Sequence, residues 1–202
     1  MRGRAIVFLD YMNVYQGARR AFFRPDDPHW LGQFNPLLLG QHLASASSNG
    51  CSLEQVRVYR GQPGRDRDPK GHAAAQRQFQ AWQRSPLVKV VSRPMRYPRG
   101  WPDKSLPGAR PQEKGIDVAL AVDFAVMGVR GDYDVGILFS TDTDMLPTLE
   151  FLAGLTGPRA EVAAWSGADR RRLAIKSRNL YCHWVGEAAY RGLEDRTVYS
   201  KI

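Results

Sequence analysis

The amino-acid sequence predicts an α/β fold of three layers, in which a mainly parallel sheet lies between helices. Apolar runs of strand length alternate with helix-length segments along the chain, which is the pattern of βαβ units. The first run, residues 4–10, is apolar and ends in a carboxylate, as expected of a strand that is buried on both faces. Neither an internal repeat nor a linker interrupts this alternation, so residues 1–202 are predicted to form one domain.

The individual elements follow from apolar spacing and from the residues that begin or end each segment. The predicted strands cover residues 4–10, 54–60, 87–91, 134–140, 160–164 and 180–185. The predicted helices cover residues 36–47, 72–84, 114–129, 145–155 and 168–177. Pro36 suits the first turn of its helix, and Gly61 to Gly64 are predicted to form a turn. The prolines between residues 93 and 112 predict a long irregular segment there.

The charge of the chain indicates a polyanionic partner. It contains 29 Lys and Arg residues against 20 Asp and Glu, which gives a net charge of +9 and a pI near 9.9. A basic excess of this size is typical of proteins that bind nucleic acid, although by itself it identifies no ligand.

The apolar segments and the cysteines predict a cytoplasmic location. No apolar run approaches the roughly 20 residues that cross a bilayer. The first run is also shorter than the apolar core of a secretory signal, which needs about 7–15 residues. Cys51 and Cys182 form no CxxC pair, and we expect free thiols in a reducing cytoplasm.

Carboxylates follow two of the predicted strands. Asp10 ends the first strand, and Asp142 and Asp144 follow the fourth. In an open parallel sheet, ligands bind beyond the carboxyl ends of the strands, so these three residues are predicted to share one rim if their strands are neighbours. Asp132 and Asp134 precede the fourth strand and belong on the opposite rim.

The helix predicted from residue 114 contributes a further carboxylate. From Ile116 to Val129 its only ionisable residues are Asp117 and Asp123, and the pattern predicts a helix that is buried on all sides. A buried carboxylate needs a partner or a metal ion. Asp117, in the first turn, is the better candidate ligand, and Asp123 is expected to support the site from below.

Each carboxylate also has a purely structural interpretation. Asp117 suits the positive end of a helix dipole, which is worth about 0.3–1 kcal/mol. Ser140, Asp142 or Asp144 suits the N-cap of the following helix, and Asp10 suits the start of a turn. Three or four carboxylates at one rim repel one another, however, and a cation relieves that repulsion. Oxygen ligands favour Mg²⁺ or Mn²⁺ over zinc, and the sequence has no Cys/His cluster.

Three motifs in order resemble those of the NYN domain family, a LabA-like branch of the PIN-like nucleases. The first is Asp10-Tyr-Met-Asn13, directly after the apolar strand. The second is Lys114-Gly-Ile-Asp117, which continues through apolar residues to Asp123. The third is Ser140-Thr-Asp142-Thr-Asp144-Met-Leu-Pro147. The resemblance covers residues 4–165. It departs from the family pattern at Thr141, where glycine is usual, and at Met145, where an aromatic residue is usual.

The resemblance implies a PIN-like fold and the hydrolysis of RNA phosphodiesters with Mg²⁺ or Mn²⁺. It also implies roles for individual residues. The implied metal ligands are Asp10, Asp117, Asp142 and Asp144. Asn13 would orient a ligand or a phosphate, and Ser140 or Thr141 would support the ligands. Such chemistry requires no Ser–His or Cys–His nucleophile, and the four histidines are scattered without a motif, so none is assigned a role.

An acidic site needs basic surroundings to hold RNA. The irregular segment and the motif after it combine cations with aromatic rings, a combination that suits single-stranded RNA. The candidate RNA-binding residues are Arg93, Arg96, Tyr97, Arg99, Trp101, Lys104, Arg110 and Lys114. The alternative is a solvated surface loop stiffened by proline. A second basic stretch contains Arg57, Arg60, Arg65, Arg67 and Lys70.

Two smaller groups are interpreted as structural. Arg170 to Arg172 are expected on a solvated helix face, and Trp30 and Phe34 are expected in core or lid packing.

The favoured interpretation is a metal-dependent endoribonuclease that prefers single strands. One alternative is an RNA-binding module with the same fold but without useful catalysis. A haloacid dehalogenase-type phosphatase is disfavoured because Met12 stands where a second aspartate is needed. A 5′-nuclease acting on DNA also remains open, since a metal site alone does not distinguish RNA from DNA. The sequence does not show whether a second copy or an antitoxin-type protein binds the chain.

Overall fold

A six-stranded parallel sheet forms the centre of the molecule. The computed structural model describes residues 3–47, 50–101, 110–168 and 170–201. The strands are β1 (Gly3–Asp10), β2 (Cys51–Gln62), β3 (Val88–Pro94), β4 (Val135–Phe139), β5 (Arg159–Trp165) and β6 (Cys182–Val185). Their order is β3-β2-β1-β4-β5-β6, and every adjacent pair is parallel. The predicted α/β fold class is therefore confirmed.

Helices connect the strands and cover both faces of the sheet. They are α1 (Tyr11–Phe22), α2 (Pro36–Ala46), α3 (Pro69–Trp82), α4 (Ile116–Arg130), α5 (Leu146–Ala153) and α6 (Glu187–Leu193). α2 and α3 begin with proline directly after a capping residue: Asn35 accepts from two backbone N–H groups, and Asp68 accepts from one. Among the described helices, none is long and apolar enough to span a bilayer.

Alternate side chains of β1 build two separate cores. Ala5, Val7 and Leu9 face the layer that contains α1, α2, α3 and α6. Ile6 and Phe8 face the layer that contains α4 and α5. This alternation is the two-residue period of a strand buried on both faces. Phe34 is fully buried in the first core, in agreement with the predicted packing role.

The prediction that α4 is buried on all sides is wrong. Val118, Val122 and Val129 are 64, 52 and 60% exposed. The inner face, with Ile116 and Leu120, packs on the sheet, whereas the outer face belongs to the outermost layer of this side. The high apolar content of α4 therefore does not force Asp117 or Asp123 into a dry interior.

The C-terminal part of the chain differs from the prediction in two respects. Residues 168 and 170–177 are irregular and not helical, so the three arginines from Arg170 occupy no helix face. Gly167 lies against Ala21 of α1, while Leu173 is buried in the core on the other face of the sheet. Gly167 and Leu173 thus pack on opposite faces of the sheet, which a helix docked on a single face would not allow. α6 follows β6 and was not predicted.

The sheet order places the ends of β1 and β4 at its topological switch point. From β1 the chain winds outward to β2 and β3, and then returns to place β4 on the other side of β1. Leu9 pairs with Phe139, and Asp10 pairs with Tyr59. The residues that follow β4 therefore emerge beside Asp10, in the crevice where open α/β sheets bind ligands.

Candidate active site at the ends of β1 and β4

Asp10 is a buried carboxylate at the end of β1, with only 5% of its surface exposed. Its Oδ2 accepts a hydrogen bond of 2.9 Å from the Ser140 hydroxyl, and its Oδ1 accepts from the Asn13 N–H at 3.3 Å. Burial, assisted by the charges of Asp117 and Glu113, raises the pKa of Asp10 to about 7 against the effect of these two hydrogen bonds. Asp10 thus caps α1, and its ionised form at the rim is disfavoured by burial.

Asp142 and Asp144 lie in the turn that follows β4. The Ser140 hydroxyl, which is fully buried, accepts from the Asp142 N–H at 3.1 Å. The Asp142 Oδ1 accepts from the Asp144 N–H at 3.0 Å and caps a short 3₁₀ turn, Thr143–Met145. The capping interpretation of Asp142 is therefore realised. It occupies one carboxylate oxygen and is compatible with a second role for the other.

Asp117 reaches the same rim from the first turn of α4. The helix starts after Gly115, whose φ of 74° is a left-handed conformation that glycine adopts without a steric penalty. Burial raises the pKa of Asp117, and so do the charges of Asp142 and Asp144. The structure therefore brings carboxylates from β1, α4 and the turn after β4 within electrostatic range of one another.

Glu113 is a further acidic residue of the rim that the sequence analysis missed. Its Oε1 accepts a 2.6 Å hydrogen bond from the Gly61 N–H, which ties the start of the α4 motif to the end of β2. Burial raises the pKa of Glu113, and the charge of Asp117 adds to this effect. The available signal was its position directly before the Lys114-Gly-Ile-Asp117 motif.

Asn13 connects the two loops of the rim. Its Oδ1 accepts two hydrogen bonds of 3.0 Å from Thr141, one from the backbone N–H and one from the hydroxyl. Since the Thr141 N–H can only donate, this contact fixes the amide with its N–H₂ group turned away from Thr141. No described residue other than glycine has a positive φ, so the backbone at Thr141 does not require the glycine usual in the family.

Asn13→Ala is expected to destabilise the protein by about 1–3 kcal/mol, because it leaves the Thr141 N–H and hydroxyl without their acceptor in a partly buried loop. Asn13→Asp retains that acceptor, and it should lose less stability at pH 4 and high salt, where the charge that it adds to the acidic rim is weakened. Urea unfolding of both variants measures this difference. Equal losses would indicate that the bridge contributes little.

Asp123 and Arg57 form a separate polar cluster on the same face of the sheet. Asp123 makes a salt bridge with Arg57 and accepts a 2.8 Å hydrogen bond from the Tyr59 hydroxyl. The hydrogen bonds described for Asp123 thus go to β2 and not to the carboxylates at the rim, and its supporting role stays a prediction. Arg57 is 7% exposed, so its place in a basic RNA-binding stretch is wrong.

The basic segment after β3 lies against the loop between β2 and α3. Tyr97 accepts a 2.8 Å hydrogen bond from the Gly64 N–H, and the Trp101 Nε1 donates to the Arg67 carbonyl at 3.1 Å. The two rings contact each other with centroids 5.7 Å apart. Both rings are half-buried, so they offer less open stacking surface than a free loop would.

The basic side chains between residues 93 and 114 differ in their distance from the candidate site and in whether the structure describes them. The Arg93 guanidinium approaches Gly115, just before α4 and two residues from Asp117. Arg96, Arg99, Arg110 and Lys114 are exposed, whereas Lys104 lies outside the described residues. Whether any of them contacts RNA stays a prediction.

The oxygen donors at the rim suit a hard divalent cation that is bound by only one or two protein ligands. They are carboxylate oxygens, which Mg²⁺ and Mn²⁺ prefer. Within the described ranges, no three His, Cys, Asp or Glu side chains lie close enough together to hold an ion by themselves. Mg²⁺ commonly binds through one or two carboxylates and completes its shell with water and substrate phosphate. The residues present fit a cation bound in that way.

An all-parallel α/β sheet with acidic side chains at its switch point is typical of α/β proteins that bind a ligand beyond the carboxyl ends of their strands. The model of the NYN domain matches residues 4–176, and the chain therefore belongs to the NYN domain family. NYN domains have a PIN-like fold and are generally nucleases.

Comparisons with individual proteins add little to this assignment. Among curated proteins, none matches the chain significantly. Among solved structures, a protein of unknown function from Vibrio parahaemolyticus RIMD 2210633 is similar, with 21% identity and a TM-score of 0.49. The match covers 81% of this chain and 82% of that one.

Proposed function

We propose that this protein is a metal-dependent endoribonuclease that hydrolyses phosphodiester bonds of single-stranded RNA in the cytoplasm. The observation that carries the proposal is the set of mutually repelling carboxylates at the switch point of the sheet, with a pKa of about 7 for Asp10. Such an arrangement is unfavourable in the free protein and becomes favourable when a cation binds, which is typical of a functional site. The free thiols of Cys51 and Cys182 are compatible with a reducing compartment.

Some residues of the candidate site would hold the metal ion, and others would position those ligands or the phosphate. Asp10, Asp117, Asp142 and Asp144 would hold Mg²⁺ or Mn²⁺, one or two of them directly and the others through water. When bound, the ion would activate water and neutralise charge on the scissile phosphate. Ser140 donates to Asp10 and fixes that carboxylate in place. Asn13 is proposed to present its amide N–H₂ to a phosphate oxygen, since its carbonyl is occupied by Thr141. Glu113 adds negative charge beside Asp117.

Cations around the rim would bring RNA to this acidic centre. The net charge of +9 attracts the polyanion over long range. Arg93 lies beside the start of α4, where it would offset the repulsion between carboxylates and phosphate. The proposed preference for single strands rests on the cations and aromatic rings of residues 93–101, which suit unpaired nucleotides better than a duplex.

The test is cleavage of an end-labelled single-stranded RNA in Mg²⁺ or Mn²⁺, with EDTA as one control. The expected result is cutting that requires metal, is abolished in Asp142→Asn and persists in Asp132→Asn. Asp132 is a matched control because it is an exposed aspartate on the opposite rim of the sheet. A single-stranded DNA and an RNA duplex of the same sequence test the substrate preference. Cutting that Asp142→Asn retains would contradict the proposed site.

A second candidate function is RNA binding without catalysis. It is favoured by one observation: in the described part of the chain, no three potential ligands are close enough to coordinate one ion without help. RNA binding without cutting in either metal, by the wild-type protein, would support this alternative.

A further inference from the structure

A polar cavity opens beside the rim, on the α1 side of the sheet. Its volume is about 160 Å³, and Asn13 and Thr141 form the part of its wall that it shares with the candidate active site. Phe139 and Trp165, at the ends of β4 and β5, also line it. The Trp165 Nε1 donates to the Val14 carbonyl, so this ring is fixed in the wall. The cavity is therefore a built feature that adjoins the carboxylates across the Asn13–Thr141 bridge.

Two arginines complete the wall, Arg20 from α1 and Arg171 from the segment after β5. Both side chains are exposed, and in the described ranges neither takes part in a salt bridge. Of the residues that the structure describes, no Asp or Glu lines the cavity. The two arginines and Asn13 thus line a space to which the described residues contribute no counter-charge.

The neighbouring arginines have other contacts, which sets Arg20 and Arg171 apart. Arg19 donates to the backbone carbonyls of Asp27, Pro28 and Leu31. Arg170 lies over the Trp184 ring at 4.7 Å, and Arg172 donates to the Leu180 carbonyl at 3.3 Å. In each basic run, the arginine that lines the cavity is one whose guanidinium has no described protein partner.

The size and chemistry of the cavity select its ligand. Pockets for drug-sized molecules measure about 300–1,000 Å³, so this cavity suits a smaller group. Guanidinium groups match the oxygens of a phosphate with paired hydrogen bonds, and an amide N–H₂ can add another donor. A phosphodiester carries one negative charge, and because both arginines are exposed, the remaining positive charge stays in contact with solvent.

We infer that this cavity binds one backbone phosphate of the RNA, next to the phosphate that is cut. The inference rests on the proposed function, because it assigns the cavity to the same substrate. Asn13 then stands between two phosphate positions, one over the carboxylates and one between Arg20 and Arg171. This arrangement defines the line along which the strand crosses the rim.

The experiment measures RNA binding without turnover, in full-length Asp142→Asn protein with Mg²⁺, by fluorescence anisotropy of a labelled oligoribonucleotide. Arg20→Ala and Arg171→Ala should each weaken binding about tenfold, as expected for loss of a charge-assisted contact. The salt dependence should become shallower by about 0.7 in logarithmic slope when the phosphate contact is lost. Both arginines are exposed, so these variants leave the core intact.

Arg130→Ala is the matched control, since it removes the same charge from an exposed site at the far end of α4, roughly 20 Å from Asp117 along the helix. It should bind RNA like the parent protein. Equal affinity and salt slope in the parent, cavity and Arg130 proteins would overturn the inference. Lysine at both cavity positions should restore part of the affinity, because it keeps the charge but loses the paired geometry.

Inorganic phosphate distinguishes a free ligand from the RNA backbone. If phosphate alone stabilises the parent and not the Arg20→Ala/Arg171→Ala variant, while RNA affinity is unchanged between them, the cavity is a free-phosphate site and the backbone assignment is wrong. If the wild-type protein never cuts RNA, the proposed catalysis fails, but these binding measurements still decide whether the cavity holds an RNA phosphate.

Discussion

Asp10→Asn is expected to lower metal-dependent RNA cleavage by at least about a hundredfold and to make the metal-free protein more stable. The loss of activity follows because a bound metal supplies several kcal/mol of charge stabilisation, and about 1.4 kcal/mol corresponds to a tenfold change in rate. The gain in stability follows because the wild-type carboxylate is buried, with a pKa raised to about 7 by burial and by the charges of Asp117 and Glu113. Asparagine has the same shape and no charge.

The stability gain should depend on pH in a defined direction. The pKa of Asp10 in the folded protein lies above its ordinary value of 3.8. The stability that this group contributes is therefore present below pH 4 and is lost as the pH rises through about 7. The shift corresponds to an upper limit of about 4 kcal/mol at pH 8. The advantage of the variant should be largest there and should shrink toward pH 4.

Urea unfolding in EDTA at pH 8, 6 and 4 measures the stability of both proteins, and cleavage of labelled RNA measures activity. Adding Mg²⁺ should stabilise the wild type more than Asp10→Asn, because ligand binding to the folded state adds stability. Asp132→Asn, on the opposite rim, should change neither property. A variant that is less stable than the wild type at pH 8 would mean that the charge of Asp10 is already compensated in the protein.

Glu161→Ala is expected to lower the free energy of unfolding by about 3–5 kcal/mol, far from the candidate active site. Glu161 is fully buried between β4 and β6. Its Oε2 lies 2.7 Å from the His183 Nε2, and its Oε1 lies 3.0 Å from the Arg159 Nε and 3.1 Å from the Ser47 hydroxyl. Removing the carboxylate leaves Ser47 and the buried His183 without their hydrogen-bond partner and Arg159 without its counter-charge.

The acid dependence of this effect has the opposite sign to that of Asp10. Burial alone would raise the pKa of Glu161, but the hydrogen bond and charge of His183, together with Ser47 and Arg159, hold it below its ordinary value of 4.5. The stability from this group is therefore present above pH 4.5 and is lost as the pH falls through the lower pKa of the folded state. The difference between wild type and variant should accordingly shrink in acid.

Two controls define the cause of the loss. Glu161→Gln keeps the shape and a hydrogen-bonding side chain, and it should lose less than Glu161→Ala. Glu187→Ala removes an exposed glutamate paired with Arg191, and it should cost no more than about 1 kcal/mol. Urea unfolding at pH 7 measures all three. Similar losses in Glu161→Ala and Glu187→Ala would show that the buried network contributes little.

His183 shows where the sequence analysis was limited. Its isolated position gave no reason to assign it a role, because its partner Glu161 lies on the neighbouring strand 22 residues earlier. The pairing becomes visible only through the register of β5 and β6, in which Ala163 lies opposite His183. Helix α1 was missed for a different, local reason. Asp10 both ends β1 and caps α1, so no loop separates the strand from the helix.

The sequence alone correctly predicted the fold class, and it proposed the carboxylates of the candidate site. Apolar runs of strand length predicted the parallel sheet, because strands covered by helices on both faces must be apolar on both sides. The positions of Asp10, Asp142 and Asp144 after two strands predicted a shared rim, because parallel strands end at the same edge. The resemblance to the NYN family added Asp117 to this set. These signals are local in the chain, and local patterns can be read without knowing which elements become neighbours.

Only the tertiary structure decided which of these residues meet and what surrounds them. The order of the strands placed β1 beside β4, raised the pKa of Asp10 and added Glu113 to the rim. It also brought Arg20 and Arg171 to one cavity and left the valines of α4 exposed. Burial and electrostatic coupling depend on contacts between residues that are distant in sequence, and composition and periodicity carry no information about those contacts.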